Sequence, residues 1–310
     1  MNKVAIIDIG TNNFLLLIAE KQENSDEIII LHKSKAFAFI GRGGMSEKKM
    51  MPDAIERALM HLKNFRQIID SFDCKQVIAI ATSAVRNASN RQEFIEKVRQ
   101  VADIHIQVID GDREASLIYY GVKSNLQIKE PSLIMDIGGG SVEFIICNSE
   151  RIFWKQSFEI GVQRLYDSFH QTDPISAEKL LALNHYVAQT LSPLFEALKI
   201  YPIKTLIGSA GSFDTIVDIY CTRYQVMNTL KSKKEFEMPL AHYWIIHEEI
   251  IVKNYNERLQ IEGMITDRAE MITVASSLIT FVMKQLQIEK MRVSAASLKE
   301  GILWEWLQNS

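Results

Sequence analysis

Ten residues, MDIGGGSVEF (135–144), gather much of the chemistry in this chain. Gly138, Gly139 and Gly140 run consecutively, so no Cβ keeps a ligand away from the backbone and successive N–H groups can point at one anion. Ser141 adds a hydroxyl. Asp136, ending one apolar run, and Glu143, early in the next, put two carboxylates beside that turn. A few oxygen ligands close to phosphate suit Mg²⁺. The chemistry implied is the binding of a phosphate-bearing anion with help from a divalent cation. The glycines lead into a strand instead of a helix, which excludes the dinucleotide fingerprint, and no GxxxxGK[ST] occurs. Hairpin turns would hold the phosphate in place of a helix-bearing P-loop.

The same pattern occurs 128 residues earlier. IIDIGTNNFLLLI (6–18) laid over 134–146 gives five identities in thirteen positions without a gap: Ile6/Ile134, Asp8/Asp136, Ile9/Ile137, Gly10/Gly138 and Ile18/Ile146. An acid embedded in an apolar run, followed at once by apolar-Gly, is an unusual feature to repeat at one phase. The chain therefore reads as a duplication, with two similar lobes and a cleft between them. The two turns would form one phosphate grip, to which Thr11 and Asn12 bring side chains and the glycine turn brings backbone.

Three further segments carry suitable groups. ATSAVR (81–86) ends a strand with two hydroxyls and Arg86; the guanidinium is either an ordinary surface charge or a bidentate phosphate ligand. LIGSAGSFDT (206–215) is a second glycine–serine turn after a buried strand. Ser209 or Ser212 could cap the following helix there, and a helix N-terminus also binds anions. In IDGDREASLIYYG (109–121), Glu114 lies in the first turn of a helix, where an acid complements the macrodipole; it could also act as general base towards water. The seven histidines form no HExxH pair, and no GxSxG elbow occurs.

The elements that must position these groups follow from periodicity. Residues 3–39 read as three strands with a polar hairpin turn, QENSDE, at 22–27; GRGGMSEKK follows as a flexible loop. A helix from Pro52 carries Ile55, Leu59, Leu62, Phe65 and Ile69 at helical spacing. Next come a strand at 76–82, a helix opened by a Ser89/Gln92 capping box, a short strand at 106–109 and a helix over 112–126. From Pro131 the order restarts: three strands, one long helix through 176–199, the strand KTLIGSAG, a long helix over 266–287, the strand MRVSAA and a last helix. Strands paired as a meander and then alternating with helices give an α/β architecture with mixed sheets.

The bulk numbers agree. A chain of 310 residues fits two domains. A net charge of −3 supplies no global field for nucleic acid, so a polyanion needs a local basic pocket. Three scattered cysteines without a CxxC fit a reducing compartment. No apolar run approaches the roughly 20 residues of a membrane span. A cytoplasmic protein is expected.

Read together and in order, IDIGTNNF, ATSAVR, DREASLIYYGV, DIGGGSVEFI, IGVQRL, IGSAGS, DRAEMI and SAASLKEG resemble the exopolyphosphatase/guanosine pentaphosphate phosphatase (Ppx/GppA) family over essentially the whole chain. That family belongs to the sugar kinase, actin and chaperone ATPase superfamily. The resemblance implies two duplicated ribonuclease H-like (actin-like ATPase) lobes with mixed five-stranded sheets. They would cover 1–126 together with a last helix at 297–310, and 127–296, with the active site in the interlobe cleft. It implies Mg²⁺-dependent release of terminal phosphate from inorganic polyphosphate or of the 5′-phosphate of guanosine pentaphosphate. Glu114 matches the family's catalytic base. Asp136 and Glu143 match its metal-associated acids, and Asp8 is placed with them as the counterpart of Asp136. Gly138, Gly139, Gly140 and Ser141 match the phosphate loop. Thr11, Asn12, Arg86, Arg164, Gly208, Ser209 and Arg268 match positions facing the phosphates. A homodimer is compatible with the family.

The departures are specific. Arg113 and Ser116 stand in DREAS where the family commonly has an acid and an arginine; Lys299 stands where LREG is usual, and Glu270 replaces an aspartate. Glu270 could serve as a capping partner of Asp267. The catalytic Glu and the glycine loop are retained, which favours a working hydrolase, and an exopolyphosphatase is the first reading. The alternatives are a guanosine pentaphosphate phosphatase and a catalytically weak regulator that binds polyphosphate or (p)ppGpp.

Overall fold

The computed structural model describes residues 2–22, 27–228, 230 and 234–309. The chain divides into two compact units, Met1–Glu114 and Ala115–Ser310.

The first unit contains strands β1 (Lys3–Ile9), β2 (Asn13–Lys21) and β3 (Ile28–Phe37), helix α1 (Pro52–Ser71), β4 (Gln76–Ala81), α2 (Ser83–Asn87), α3 (Arg91–Ala102), β5 (Ile106–Val108) and the first turn of α4 (Gly111–Asn125). The sheet order is β3-β2-β1-β4-β5: antiparallel across β1–β2–β3 and parallel from β1 through β4 to β5. One sheet face carries Ile7, Ile9, Phe14, Leu16 and Ile18 and packs on Leu62 and Phe65 of α1 and Phe94 of α3. Of the hairpin turn at 22–27, Gln22 N–H donates to the Glu27 carbonyl at 3.1 Å, and residues 23–26 lie outside the described residues.

Two local expectations change. The loop after β3 is tied down: Asn90 pairs with both the N–H and the carbonyl of Met50 at 3.0 and 2.9 Å, and Ser89 N–H bonds the Lys48 carbonyl at 2.7 Å. With its side chain so used, Asn90 itself precedes α3, and the Ser89/Gln92 box does not form.

The second unit holds the rest of α4, then β6 (Ser132–Ile137), β7 (Val142–Cys147), β8 (Ile152–Phe158), α5 (Val162–Phe169), α6 (Ala177–Thr190), α7 (Ser192–Ile200), β9 (Thr205–Ser209), α8 (Gly211–Arg223), β10 (Glu235–Met238), α9 (Leu240–Val252), α10 (Tyr255–Arg258), a 3-10 turn (Thr266–Arg268), α11 (Ile272–Leu286), β11 (Lys290–Ser294) and α12 (Leu298–Gln308). Its sheet order is β10-β11-β9-β6-β7-β8. From β8 to β11 this repeats the first sheet strand for strand, with a hairpin, a third meander strand and two parallel additions. The sixth strand, β10, pairs antiparallel on the outer edge of β11 and corrects the expected five. The helix expected through 176–199 is broken at Leu191, because Pro193 cannot continue α6 but suits the first turn of α7.

α11 is buried from Ile272 to Met283 and forms the centre of this unit's main core. The opposite sheet face carries Asp136 and Glu143 and receives α12 and the unit-2 part of α4, through Ser297 on Asp136 and Ser116 on Lys155. α4 and α12 touch each other at Gly121 and Gly301, so they group together. The division therefore falls at Glu114, inside α4, and α12 falls in the second unit; the sequence cut was at 126, with 297–310 assigned to the first lobe. Among the described residues no helix is long and apolar enough to cross a membrane.

Candidate active site

Parallel pairing brings three strand ends of the first unit to one edge. Ile9 pairs with Ala81 and Ala81 with Val108, so the Gly10–Asn12 turn, the start of α2 and the start of α4 lie side by side. Gly10 N–H closes the turn on the Asn13 carbonyl at 3.0 Å, and Thr11 and Asn12 are buried within it. Their carbonyls accept from Gly41 and Phe39, which fastens the turn to the loop after β3. The Asp110 carboxylate caps α4 through Arg113 N–H at 2.7 Å and sets Glu114 in the first turn. Arg86 reaches across from α2: its Nη1 lies 2.8 Å from Glu114 Oε2 and 3.2 Å from the Ile109 carbonyl. The Glu114 side chain is 8% exposed, so its acceptor is screened from bulk water and fixed by a cation.

The glycine loop of the second unit has the corresponding closure, with Gly138 N–H on the Ser141 carbonyl at 3.0 Å. Its brace comes from a helix start instead of a loop. Gly161, Val162 and Gln163, at the start of α5, donate to the carbonyls of Gly140, Gly138 and Gly139 at 3.2, 3.0 and 2.8 Å. In a planar trans peptide the next N–H points opposite to its C=O. The N–H groups of Gly139, Gly140 and Ser141 are thereby turned away from α5, and among the described residues none has a hydrogen-bond partner. Three unpaired donors in succession are an anion cradle. Gly161 must be glycine: a Cβ there would lie 2.4 Å from the backbone of Gly139 and Gly140. Arg164 supports the loop from outside, with Nε on the Gly140 carbonyl and Nη2 on Glu159, both at 2.9 Å.

Register puts Asp136 directly between Glu143 on β7 and Ser209 on β9. Asp136 Oδ2 accepts from Ser209 Oγ at 2.7 Å and Ser297 Oγ at 2.5 Å. Burial pushes this carboxyl above its ordinary value, and the two hydroxyl bonds pull it part-way back. Glu143 accepts from Ser157 Oγ at 2.6 Å. Gly208 and Ser209 end β9, and α8 starts two residues later. Neither Ser209 nor Ser212 caps that helix; Ala210 occupies the cap position with φ +68°. The Arg268 guanidinium lies against Gly211 at this helix start. Its Nη2 lies 2.0 Å from where a Gly211 Cβ would stand, so only glycine admits the guanidinium. Burial lowers the Arg268 pKa, and Asp214 and Asp267 oppose that. A guanidinium beside the positive end of a helix dipole suits an anion, and Asp214 in the first turn of α8 supplies part of that negative charge.

The model of the Ppx/GppA phosphatase family matches residues 17–310. The chain belongs to this family. It is 39% identical to an exopolyphosphatase from Cytophaga hutchinsonii ATCC 33406 whose crystal structure is known; the match covers 99% of this chain and 98% of that one, with a TM-score of 0.95. The Aquifex aeolicus member of the Ppx/GppA family, 23% identical with a TM-score of 0.80 over 99% of this chain and 98% of that one, shares the fold. A curated relative, the bifunctional 3-dehydroquinate synthase/phosphatase of Fusobacterium nucleatum subsp. nucleatum, is 31% identical over 316 residues. That match covers 98% of this chain but 46% of the relative, so the chain spans about half that protein's length. The repeated sheets are thus the ribonuclease H-like pair of the actin-like ATPase architecture.

Within the Ppx/GppA frame, each unit assembles part of the expected set. The first brings Thr11, Asn12, Arg86 and Glu114 to one sheet end, with Asp8 just before the turn. The second gathers Asp136, Glu143, Gly138–Ser141, Gly208 and Ser209, with Arg268 against Gly211 and Arg164 behind the loop. Sequence reasoning missed Ser297 and Ser157 as partners of the acids. Ser297 and Glu300 carry the S-x-x-E pattern of a helix start, and Ser297 N–H does bond Glu300 at 3.0 Å. Nothing in that spacing points to Asp136, 161 residues away. Glu270, read as a partner for Asp267, lies beside Tyr166 instead, where its charge raises the phenol's pKa after burial has done so.

Proposed function

We propose that this chain is a phosphoanhydride hydrolase of the exopolyphosphatase type, releasing orthophosphate from the end of inorganic polyphosphate. The observation that carries the reading is the glycine loop. Its three N–H groups, without a partner among the described residues and backed by α5, form a cradle for a phosphoryl group. The 39% identity to an exopolyphosphatase over nearly full length supports the same substrate class.

Phosphoryl transfer is largely positioning and neutralisation of charge. In this reading water attacks the terminal phosphorus in line, the bridging P–O bond breaks, and the shortened chain departs with its electron pair. The water's proton passes to Glu114, whose carboxylate Arg86 orients. The cradle N–H groups and Arg268 stabilise the oxygens on which charge develops.

No group of three or more His, Cys, Asp or Glu side chains suited to hold an ion occurs among the described residues. Mg²⁺ ordinarily takes one or two carboxylates together with phosphate oxygens and waters. Asp136 and Glu143, paired across β6 and β7, fit that smaller donor set, with Asp8 their counterpart in unit 1. Bound there, Mg²⁺ would supply positive charge to the phosphates. Three buried cysteines, none in a disulfide, fit the cytoplasm as the site of action.

The competing reading is a guanosine pentaphosphate phosphatase or a weak regulator. It is favoured by Lys299, whose ammonium is engaged 3.0 Å from Glu300 where the family usually carries an arginine. Phosphate release from long-chain polyphosphate and from guanosine pentaphosphate, measured side by side with Mg²⁺, separates the readings. Faster turnover of polyphosphate is expected. Release from the guanosine substrate alone would replace the first reading with the second, and binding without release would identify a regulator.

A further inference from the structure

Arg258 is the largest fully buried side chain among the described residues, 1% exposed, and it lies outside every motif that pointed to phosphate chemistry. It sits at the end of α10, a single turn closed by a capping box between Asn254 and Glu257. Its Nε donates to the Ala269 carbonyl at 2.8 Å, and its Nη1 to the Lys253 carbonyl at 2.6 Å and to Asp173 Oδ1 at 2.8 Å. The other Asp173 oxygen accepts from Tyr255 N–H at 2.5 Å, so one carboxylate holds both ends of α10. A buried ion pair of this kind contributes little net stability compared with apolar side chains of the same volume. What it does supply is fixed geometry.

The geometry it fixes is that of the 267–270 turn. Ala269, gripped by Arg258, directly follows Arg268, whose guanidinium lies on Gly211 at the start of α8. The residue after Ala269, Glu270, lies beside Tyr166 of α5. α5 is the helix whose first N–H groups hold the glycine loop. We infer that Arg258 and Tyr166 are positioning residues: they clamp the 267–270 turn from its two sides and set Arg268 in register with the glycine loop. The inference rests on the reading of Arg268 as a phosphate ligand. Neither residue touches substrate; both act through Arg268.

A double-mutant cycle tests this. Arg258→Met, Arg258→Lys and Tyr166→Phe are each measured alone and combined with Arg268→Gln, following polyphosphate hydrolysis and thermal unfolding. Misplacement of a binding group by about 1 Å costs up to roughly 100-fold. Arg258→Met is therefore expected to raise KM for polyphosphate by about tenfold with kcat changed less, and to lower Tm, because Asp173 and the Lys253 and Ala269 carbonyls lose their donor. Arg258→Lys keeps the charge by Asp173 but cannot also reach Ala269, so it should reproduce the kinetic loss. Tyr166→Phe should give a smaller loss. In the Arg268→Gln background all three should add almost nothing. Losses that multiply in that background, or parental KM in all three variants, would overturn the clamp. Absence of turnover in the parent would overturn the proposed function instead; the same cycle read as tripolyphosphate binding by calorimetry then decides the clamp, with the same two outcomes against it. If Arg258→Met does not fold, the other two variants carry the cycle.

Discussion

At the residue scale, Glu114 and Arg86 form the most sharply defined pair in the first unit. A carboxylate that is 8% exposed, in the first turn of a helix and 2.8 Å from a guanidinium, is oriented before substrate arrives. Glu114→Gln keeps the shape and removes the base. Phosphate release should fall by about 100-fold to 10,000-fold, with Tm changed by little. Release equal to that of the parent would remove Glu114 from the mechanism. Arg86→Lys is a separate test. Lysine keeps the charge, but Arg86 Nη1 meets both Glu114 and the Ile109 carbonyl from a rigid planar head, which a flexible ammonium does not reproduce. We expect kcat to fall by roughly tenfold while the protein stays folded, as measured by steady-state kinetics and thermal melts. Asp8, Asp136 and Glu114 were legible in the sequence because acids inside apolar runs or at helix starts stand out. Ser297 was not, because its bond to Asp136 joins segments 161 residues apart.

At the element scale, the support under the glycine loop comes from the start of α5. Three α5 N–H groups take the loop carbonyls and so orient the opposing N–H groups. Gly161→Ala would push a methyl to within 2.4 Å of the loop backbone. The expected result is a loss of phosphate release of at least about tenfold, together with a destabilisation of roughly 1–3 kcal/mol from overpacking. Kinetics and urea melts on one preparation measure both. An active, fully stable Gly161→Ala would mean that the loop tolerates displacement. Helix existence was readable from periodicity, but helix starts were less so. The capping box at Ser89 failed because Asn90 spends its amide on Met50, a partner 40 residues away. The cap expected from Ser209 failed because Asp136, on the neighbouring strand, takes that hydroxyl.

At the scale of the whole molecule, stability should depend on pH through the core of the second unit. His247 on α9 bonds Ser276 of the buried α11 at 2.7 Å, and burial, assisted by Lys284, lowers its pKa from 6.5 to about 4. The unfolded chain therefore binds the proton more readily than the folded one. The stabilisation is present above about pH 6.5 and is lost as pH falls towards 4, by up to about 3 kcal/mol. His247→Gln should flatten this part of the profile, measured by denaturant unfolding at a series of pH values. An unchanged slope would assign the acid lability to other groups. The net charge of −3 acts at the same scale: attraction of a polyanion rests on local groups such as Arg86 and Arg268, so added salt should raise KM for polyphosphate.

The duplication and the family were legible in local residue patterns. The Asp-Ile-Gly repeat at an offset of 128 is mirrored by a five-strand order that both sheets share and by two turns closed with the same 3.0 Å bond. Such features are local, because a strand end, a tight turn and a buried apolar run are each specified by neighbouring residues. The tertiary structure decided which polar groups meet. The bonds of Asp136 with Ser209 and Ser297, the placing of Arg268 on Gly211, and the grip of Arg258 on Ala269 and Asp173 each depend on register and on crossover connections. A hydroxyl or guanidinium is polar wherever it occurs in the chain. Only the pairing of distant strands and helices settles which buried acceptor it must satisfy.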